Sequence, residues 1–265
     1  MRSLSRLAAA LVFLGLAPDV PSPLARLPQD AAGAAVRRAI EYAGGWDAWQ
    51  AKKTVEFKKT TIRYRSDGSV EGQRVQTHRY VLRPGFLARI EWEEDGKKIV
   101  LINNGNQAWK LIDGQQATAQ EDVNQARGAT FGSHYVFCMP FKLTDPGVHL
   151  ESLGREPLSD GTSADKVRVT YERGAGDAGG LHTWTYYFDS KTGRLAANHL
   201  NYAPAKYDFT EYLDDKPLED LRLSTRRSGY NADAHGKTGP RMSESIYEDV
   251  QMNVPMLETL FARSP

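Results

Sequence analysis

The feature that most constrains this sequence is a two-residue alternation of apolar and polar side chains that begins at Thr54 and recurs as far as Met252. Short turn sequences such as Asp95-Gly96 and Asn104-Gly105 separate the alternating segments. Period-two alternation predicts strands with one buried face, and Asp-Gly or Asn-Gly between two such strands predicts a hairpin. We therefore expect a mainly β fold made of successive antiparallel strands.

The alternating segments predict eleven or twelve strands, at 54–64, 69–82, 88–93, 98–102, 107–112, 148–153, 166–171, 183–188, 195–202, 209–213, 221–227 and 244–252. Hairpin loops are expected at 65–68 and 189–193, and long exposed loops at 173–180 and 229–239. So many strands do not form a flat open sheet. We therefore expect a curled antiparallel sheet, or incomplete β-barrel, of about eleven strands.

Two segments carry helical patterns. Residues 31–51 predict an N-terminal helix with Asp30 as its N-cap and an interruption at Gly44-Gly45. Residues 118–138 predict one or two short helices that end in the aromatic segment 134–141, the most apolar stretch after the N-terminal region. This central segment is expected to form a plug or lid on the sheet.

The N-terminal region has the pattern of a secretory signal peptide. Arg2 and Arg6 precede an apolar run at 7–16, and three prolines follow it. The run is shorter than the roughly 20 residues that span a bilayer. We assign residues 1–25 to the signal, with cleavage after either Ala17 or Ala25, and residues 30–262 to one domain. The mature chain is expected to be periplasmic or otherwise exported, and soluble after the signal is cleaved.

Charge and motif content argue against several functional classes. The 34 basic residues nearly balance the 33 acidic ones, for a net charge of +1, and nucleic-acid binders are normally basic. The sequence contains no metalloprotease, nucleophile-elbow, phosphate-loop or dinucleotide-binding motif. We therefore predict no nucleic-acid partner, no metal, no cofactor and no enzymatic activity.

Single titratable residues do not change this interpretation. Cys138, the lone cysteine, lies among aromatic residues, where a buried and unreactive thiol is expected. His182 and His199 lie on strands predicted to pair, and ordinary packing at the rim of the sheet is expected for them.

Three segments resemble the LolA and LolB class of periplasmic lipoprotein carriers. They are 39–53 (AIEYAGGWDAWQAKK), 103–111 (NNGNQAWKL) and 247–261 (YEDVQMNVPMLETLF), and the segment 139–147 (MPFKLTDPG) resembles exported members of the same class. The resemblance covers most of 30–262. It implies an incomplete barrel with a helical plug or lid over an apolar cavity, which holds acyl chains in the carriers. The carriers are typically shorter and lack the long loops expected here, so delivery of lipoproteins to a receptor is not carried over.

Too few helical residues are available to cover about eleven strands, which leaves part of the concave face for a ligand. The segment 131–141 is then the natural lid, and its alternative role is a plain core plug. The expected cavity-lining residues share aromatic or flexible apolar side chains. They are Trp92, Trp109, Phe131, Tyr135, Phe137, Met139, Phe141, Trp184 and Tyr186.

The leading hypothesis is a carrier that holds a lipid, a lipoprotein acyl chain or another apolar ligand non-covalently. One alternative is an envelope sensor or protein-interaction module, which predicts an exposed apolar patch without a deep cavity. A second alternative is a hydrolase or isomerase inside the barrel, which requires ionisable side chains that converge on the cavity.

Overall fold

A computed structural model describes residues 22–158 and 160–263, and most of them lie in β-strands. The strands are β1 (Thr54–Tyr64), β2 (Val70–Val81), β3 (Leu87–Glu94), β4 (Lys97–Asn103), β5 (Ala108–Ile112), β6 (Gln115–Gln116), β7 (Val148–Pro157), β8 (Ser163–Tyr171), β9 (Thr183–Asp189), β10 (Leu195–Ala203), β11 (Lys206–Leu218), β12 (Leu221–Ala232) and β13 (Thr238–Met252).

All thirteen strands belong to one antiparallel sheet in the order β6-β5-β4-β3-β2-β1-β13-β12-β11-β10-β9-β8-β7. Two meanders, β1 to β6 and β7 to β13, are joined where the first strand pairs with the last, with Lys59 opposite Tyr247. The sheet is open, because β6 and β7 lie at its two ends. The expected curled antiparallel sheet is confirmed. The additional short strand β6 has only two residues and so has no alternation that the sequence could reveal.

Three α-helices accompany the sheet in the described residues: α1 (Ala31–Tyr42), α2 (Trp46–Gln50) and α3 (Gln120–Phe137). Asp30 caps α1, because its Oδ1 accepts a hydrogen bond from the Gly33 amide at 3.0 Å. The helical pattern at 31–51 is interrupted as expected. Gly44 there has φ +111°, and a Cβ at that position would lie 2.3 Å from the Asp220 carbonyl oxygen. The central segment is one 18-residue helix.

The two long helices cover different parts of the concave face. Helix α1 packs on β7, β8 and β9, and α3 packs on β3, β4 and β5. The main apolar cluster joins α1, the end of α3 and the inward side chains of β1, β8 and β9, with Val36, Phe57, Phe137, Val169 and Tyr186 among its buried members. The middle strands β11, β12 and β13 are left without a helix of their own.

The expected long loop at 229–239 is wrong. Strands β12 and β13 continue through most of it, with Gly229 opposite Ser243 and Ala232 opposite Thr238, so only 233–237 connect them. The ladder hydrogen bonds come from the backbone and do not require apolar side chains. Because no residue of 229–232 or 238–243 is buried, apolar and polar side chains do not alternate there.

Residues 1–21 of the expected signal sequence, which include the apolar run at 7–16 and the cleavage site at Ala17, lie outside the described residues, whereas 22–25 are described. Among the described helices, none combines the length and the apolar character needed to cross a membrane.

Candidate functional site

The centre of the concave face is closed from above by the C-terminal end of α3. Phe137 stacks on Phe57 of β1 with ring centroids 4.5 Å apart, and its ring also lies 5.9 Å from that of Tyr247 on β13. Immediately after the helix, Phe141 stacks on Trp49 of α2 at 4.6 Å. Stacked pairs of this kind contribute about 0.5–1.5 kcal/mol each beyond their buried area. These contacts fix the end of α3 on the sheet.

Beside this aromatic closure the concave face opens into a pocket of about 270 Å³. Helix α3 forms one wall, and β1, β11, β12 and β13 form the floor. Small, hydroxyl-bearing or cationic side chains predominate in its lining, which consists of Lys59, Gly132, Ser133, Val136, Thr210, Arg227, Gly229, Ser243, Ser245 and Tyr247. The pocket is thus polar on its floor and lies next to an apolar cluster.

Strand register brings these floor residues together. Thr210, Gly229 and Ser243 form one row across β11, β12 and β13, because each is paired with the next. Arg227 lies opposite Ser245 in the adjacent row. Five residues separated by up to 35 positions in the sequence therefore present side chains or backbone to one small volume.

Arg227 lies between two tyrosines. Its guanidinium carbon is 4.8 Å from the ring centroid of Tyr212 and 4.8 Å from that of Tyr247, and Nη1 donates a hydrogen bond to the Tyr247 hydroxyl at 3.1 Å. The Lys59 ammonium approaches the Tyr247 ring at 5.9 Å. Burial alone would raise the pKa of Tyr247, but the positive charges of Arg227 and Lys59 hold that pKa below its usual value. The site is therefore electropositive.

A crevice of about 20 Å³ lies on the other side of Arg227. It is lined by Ala39 of α1, by Phe137 and Met139, and by Tyr212 and Arg227. The polar pocket and this crevice, which Asp215 and Arg222 also line, thus share Arg227 as a common wall.

The structure brings most of the expected cavity-lining residues together. The seven members of the main apolar cluster or its immediate packing shell are Phe131, Tyr135, Phe137, Met139, Phe141, Trp184 and Tyr186. Six of them are buried, while Phe131 is partly buried and contacts Phe86 edge-on at 5.6 Å. The apolar part of the concave face is thus filled by the protein's own side chains.

Two of the expected residues lie elsewhere. Trp92 is buried beneath α3 in a separate cluster with Ile90 and Ala126. Trp109 faces the opposite side of the sheet, where it packs with Phe261 of the C-terminal segment. The neighbouring Ala108 occupies the concave face instead, because successive side chains of a strand point to opposite faces.

The single titratable residues behave as structural groups. Cys138 is fully buried, and burial raises the pKa of its thiol to about 12. His182 precedes β9 and contacts Asp177 with its Nδ1 at 2.9 Å, whereas the His199 ring stacks on Tyr207. Within residues 22–158 and 160–263, no group of three or more His, Cys, Asp or Glu side chains is placed to hold a metal ion.

None of the ten residues that line this pocket is among the expected cavity-lining residues, and Lys59 and Arg227 are the two that carry a charge. The sequence contained an indication of these two residues. Arg227 lies an even number of positions from Leu223 in β12, and Lys59 an even number from Phe57 in β1, so both side chains point to the buried face. A cation at a position whose alternation places it on the buried face is an exception to normal patterning, and such exceptions concentrate at functional sites.

A second depression, of about 430 Å³, lies away from the concave site. Tyr187, Ala197 and Phe209 provide apolar lining, while His235 and Gly236 of the β12–β13 connection border it. This depression is larger than the concave pocket but has no helix above it among the elements that the structure describes.

Comparison with known proteins identifies the architecture. No family model and no curated protein matches the chain. Among solved structures, a LolA superfamily protein from Nitrosomonas europaea superposes with a TM-score of 0.56 at 11% identity and covers 87% of this chain and 97% of its own.

Two further structures agree. A DUF1329 family protein from Desulfovibrio piger gives a TM-score of 0.56 at 10% identity over 88% of this chain and 98% of its own. A domain from Vibrio parahaemolyticus, described as an outer membrane lipoprotein-sorting protein, gives 0.53 at 10% identity over 86% and 94%. At such low identity these similarities show the fold alone.

Proposed function

From the LolA-like fold of this chain, we propose that it is an exported binding or carrier protein, which holds a lipid, a lipoprotein acyl chain or another apolar ligand non-covalently on the concave face. The observation that carries the proposal is the open pocket of about 270 Å³ directly beside the aromatic closure at the end of α3. Pockets for small ligands typically measure about 300–1,000 Å³, so this volume suits a head group or a short chain segment.

A longer acyl chain requires the end of α3 to move. The displaced volume is occupied by Phe137 and Met139, which are 3% and 4% exposed. Each buried CH₂ of a ligand contributes about 0.8 kcal/mol, and exposure of one large apolar side chain costs about 1.5–3 kcal/mol. Four or more buried methylenes therefore offset the displacement of one such side chain.

The composition of α3 supports a role as lid. Gly128 and Gly132 lie inside the helix, and each lowers its intrinsic stability by about 1 kcal/mol relative to alanine. The first half of α3 is held by buried Ala126 and by an ion pair between Lys110 and Asp122 at 2.8 Å. The first half of α3 can thus stay on β3, β4 and β5, while the half beyond Gly128 moves when a ligand replaces the contacts of Phe137.

Export is part of the proposal, with residues 1–25 as the signal and 30–262 as a single domain. Within the described segment, Leu24 packs against the main apolar cluster, and Arg26 Nη1 donates a hydrogen bond to the Thr144 carbonyl oxygen at 3.3 Å. Cleavage after Ala17 would keep both contacts, whereas cleavage after Ala25 would remove Leu24. Of the two sites within 1–25, the earlier one, which ends the signal at Ala17, is therefore favoured.

A second candidate function is an interaction module that binds an envelope protein. The depression of about 430 Å³ around Tyr187 and Phe209 favours it, because an open depression lined by both aromatic and charged residues can accept a side chain of a partner. The two candidates use different faces of the sheet, so they can be separated by experiment.

The test is native mass spectrometry, with organic extraction, of the protein purified from the envelope of its own organism. A co-purifying lipid at one per chain, together with binding of a fluorescent fatty acid, is the expected result. Val136→Trp should fill the pocket and reduce fatty-acid affinity at least about tenfold, or about 1.4 kcal/mol. Val75→Trp, at a position of β2 that is 50% exposed, is the matched control and should bind normally.

Protein that carries no lipid and also fails to bind the fluorescent fatty acid would contradict the carrier function. The interaction module would then become the leading candidate, with the Tyr187 and Phe209 surface as its docking face.

A further inference from the structure

Arg227 is an exception among the buried cations of this protein. Arg227 is only 6% exposed, yet its guanidinium forms no ion pair with a carboxylate of the described residues. Its Nε also has no hydrogen-bond partner among them. Lys52 is similarly buried at 4% and pairs with both Glu219, at 2.7 Å, and Asp220, at 2.5 Å. Buried charges are normally paired in this way.

Lys59 adds a second positive charge without a carboxylate partner among the described residues. It is partly buried on β1, and its ammonium lies 5.9 Å from the ring centroid of Tyr247, which Arg227 also contacts. Two like charges around one ring repel each other, and the tyrosine faces compensate only part of that cost. An anion in the pocket would relieve both the repulsion and the loss of hydration.

Neutral donors accompany the two cations. The hydroxyl-bearing residues Thr210, Ser243 and Ser245 line the same pocket. Gly229 lies between Thr210 and Ser243 in the sheet and leaves the floor without a side chain at that point. Lysine, arginine and hydroxyl groups are the donors that proteins use for phosphate and carboxylate oxygens.

The position of Arg227 relates this polar floor to the apolar cluster. One side of its side chain borders the pocket with the hydroxyls, and the other borders the crevice with Phe137 and Met139. The carboxylate that lines this crevice, Asp215, accepts a hydrogen bond from the Tyr42 hydroxyl at 3.0 Å. A charged head group at Arg227 would thus place an attached chain against the aromatic closure.

We infer that Lys59 and Arg227 form an oxyanion site, which binds the phosphate or carboxylate head group of an amphiphile while its chain lies against the Phe137 cluster. This inference rests on the proposed carrier function and adds the chemical class of the ligand. The same donors would also accept a free phosphate ion, and the experiment separates the two sources.

The test measures binding of dodecyl phosphate, dodecanoate, uncharged dodecanol and inorganic phosphate by calorimetry at concentrations below micelle formation. The unaltered protein should bind the two charged amphiphiles at least about tenfold more tightly than dodecanol. Lys59→Gln and Arg227→Gln should each remove most of that preference, measured against dodecanol in the same variant. The preference should also decrease with added salt, since it depends on charge.

Matched controls come from the neighbouring positions on the opposite face of the same strands. Lys58 pairs with Asp249 at 2.9 Å, and Arg226 pairs with Glu244. Lys58→Gln and Arg226→Gln remove the same charges outside the pocket and should keep the preference for charged amphiphiles. If Arg227→Gln does not fold, Lys59→Gln decides, because Lys59 is only partly buried.

The outcomes distinguish the two proposals. Equal affinity for dodecanol and dodecyl phosphate, unaffected by Lys59→Gln, would overturn the oxyanion site and leave the carrier function standing. Binding of inorganic phosphate as tight as that of dodecyl phosphate, lost in Lys59→Gln, would support the oxyanion site and contradict the carrier function. No binding of any of the four compounds would overturn both.

Discussion

Replacement of Phe137 by alanine tests whether the aromatic closure stabilises the fold while occupying the volume that a ligand would use. Phe137 is 3% exposed and contacts Phe57 and Tyr247. Truncation of a fully buried phenylalanine costs about 3–5 kcal/mol, since both the transfer free energy and the packing around the new cavity are lost. We expect Phe137→Ala to lower the free energy of unfolding by about that amount.

Phe131 provides the control on the same helix. It is only partly buried and has one edge-on aromatic contact, with Phe86, besides its longer contact with His134. Burial of a whole phenylalanine side chain contributes about 1.5–3 kcal/mol, so Phe131→Ala should cost about 1 kcal/mol. Urea unfolding, followed by tryptophan fluorescence and circular dichroism, measures both free energies.

Ligand binding gives the second half of this test. If Phe137 competes with a ligand for space, dodecanol should bind more tightly to Phe137→Ala than to the unaltered protein and should restore part of its stability. A ligand at 100 times its dissociation constant adds about 2.7 kcal/mol. An unfolding free energy of Phe137→Ala no lower than that of Phe131→Ala would refute the view that this ring closes the site.

Three further predictions concern stability and reactivity. Gly33→Ala should destabilise the protein, because the new Cβ would lie 1.9 Å from the Pro28 carbonyl oxygen. Gly128→Ala should stabilise the protein by up to about 1 kcal/mol, because a Cβ at that position has no atom within 4 Å and alanine favours the helix. Urea unfolding compares the two variants. Burial lowers the pKa of His134 to about 3. Below about pH 6.5 this histidine is therefore protonated in the unfolded chain but stays neutral in the folded chain. His134 should therefore contribute a loss of about 1.6 kcal/mol of stability between pH 6.5 and pH 5, and His134→Gln should remove that part of the loss in unfolding curves at the two pH values. Cys138 should not react with a thiol reagent such as Ellman's reagent until denaturant is added, and rapid modification of the native protein would contradict its burial.

The local features of the fold were readable from sequence because each depends on a few neighbouring residues. Asp30 as the cap of α1, the interruption at Gly44-Gly45 and the hairpin at 189–193 all follow from short-range chemistry and are present in the structure. The polar extension of β12 and β13 was missed, because its stability comes from backbone pairing that leaves no trace in side-chain alternation.

The candidate site was only partly readable. Aromatic character identified the cluster around Phe137 and Tyr186. The alternation of side chains along β5 did not show, however, that Trp109 packs on the convex face of the sheet. The alternation along β12 placed Arg227 on the buried face but did not show which groups it would meet there. Its separation from every carboxylate partner in the described residues is a property of the packed sheet.

By itself the sequence determined the mainly β architecture, its helical interruptions and the apolar character of one sheet face, since periodicity, caps and turn chemistry are local. Tertiary structure decided how the sheet is ordered, which residues fill its concave face and which charges meet there. The pairing of the first strand with the last places Lys59 beside Tyr247, and Arg227 on the next strand reaches the same ring. Such contacts between distant positions depend on strand order and register, which no local pattern encodes.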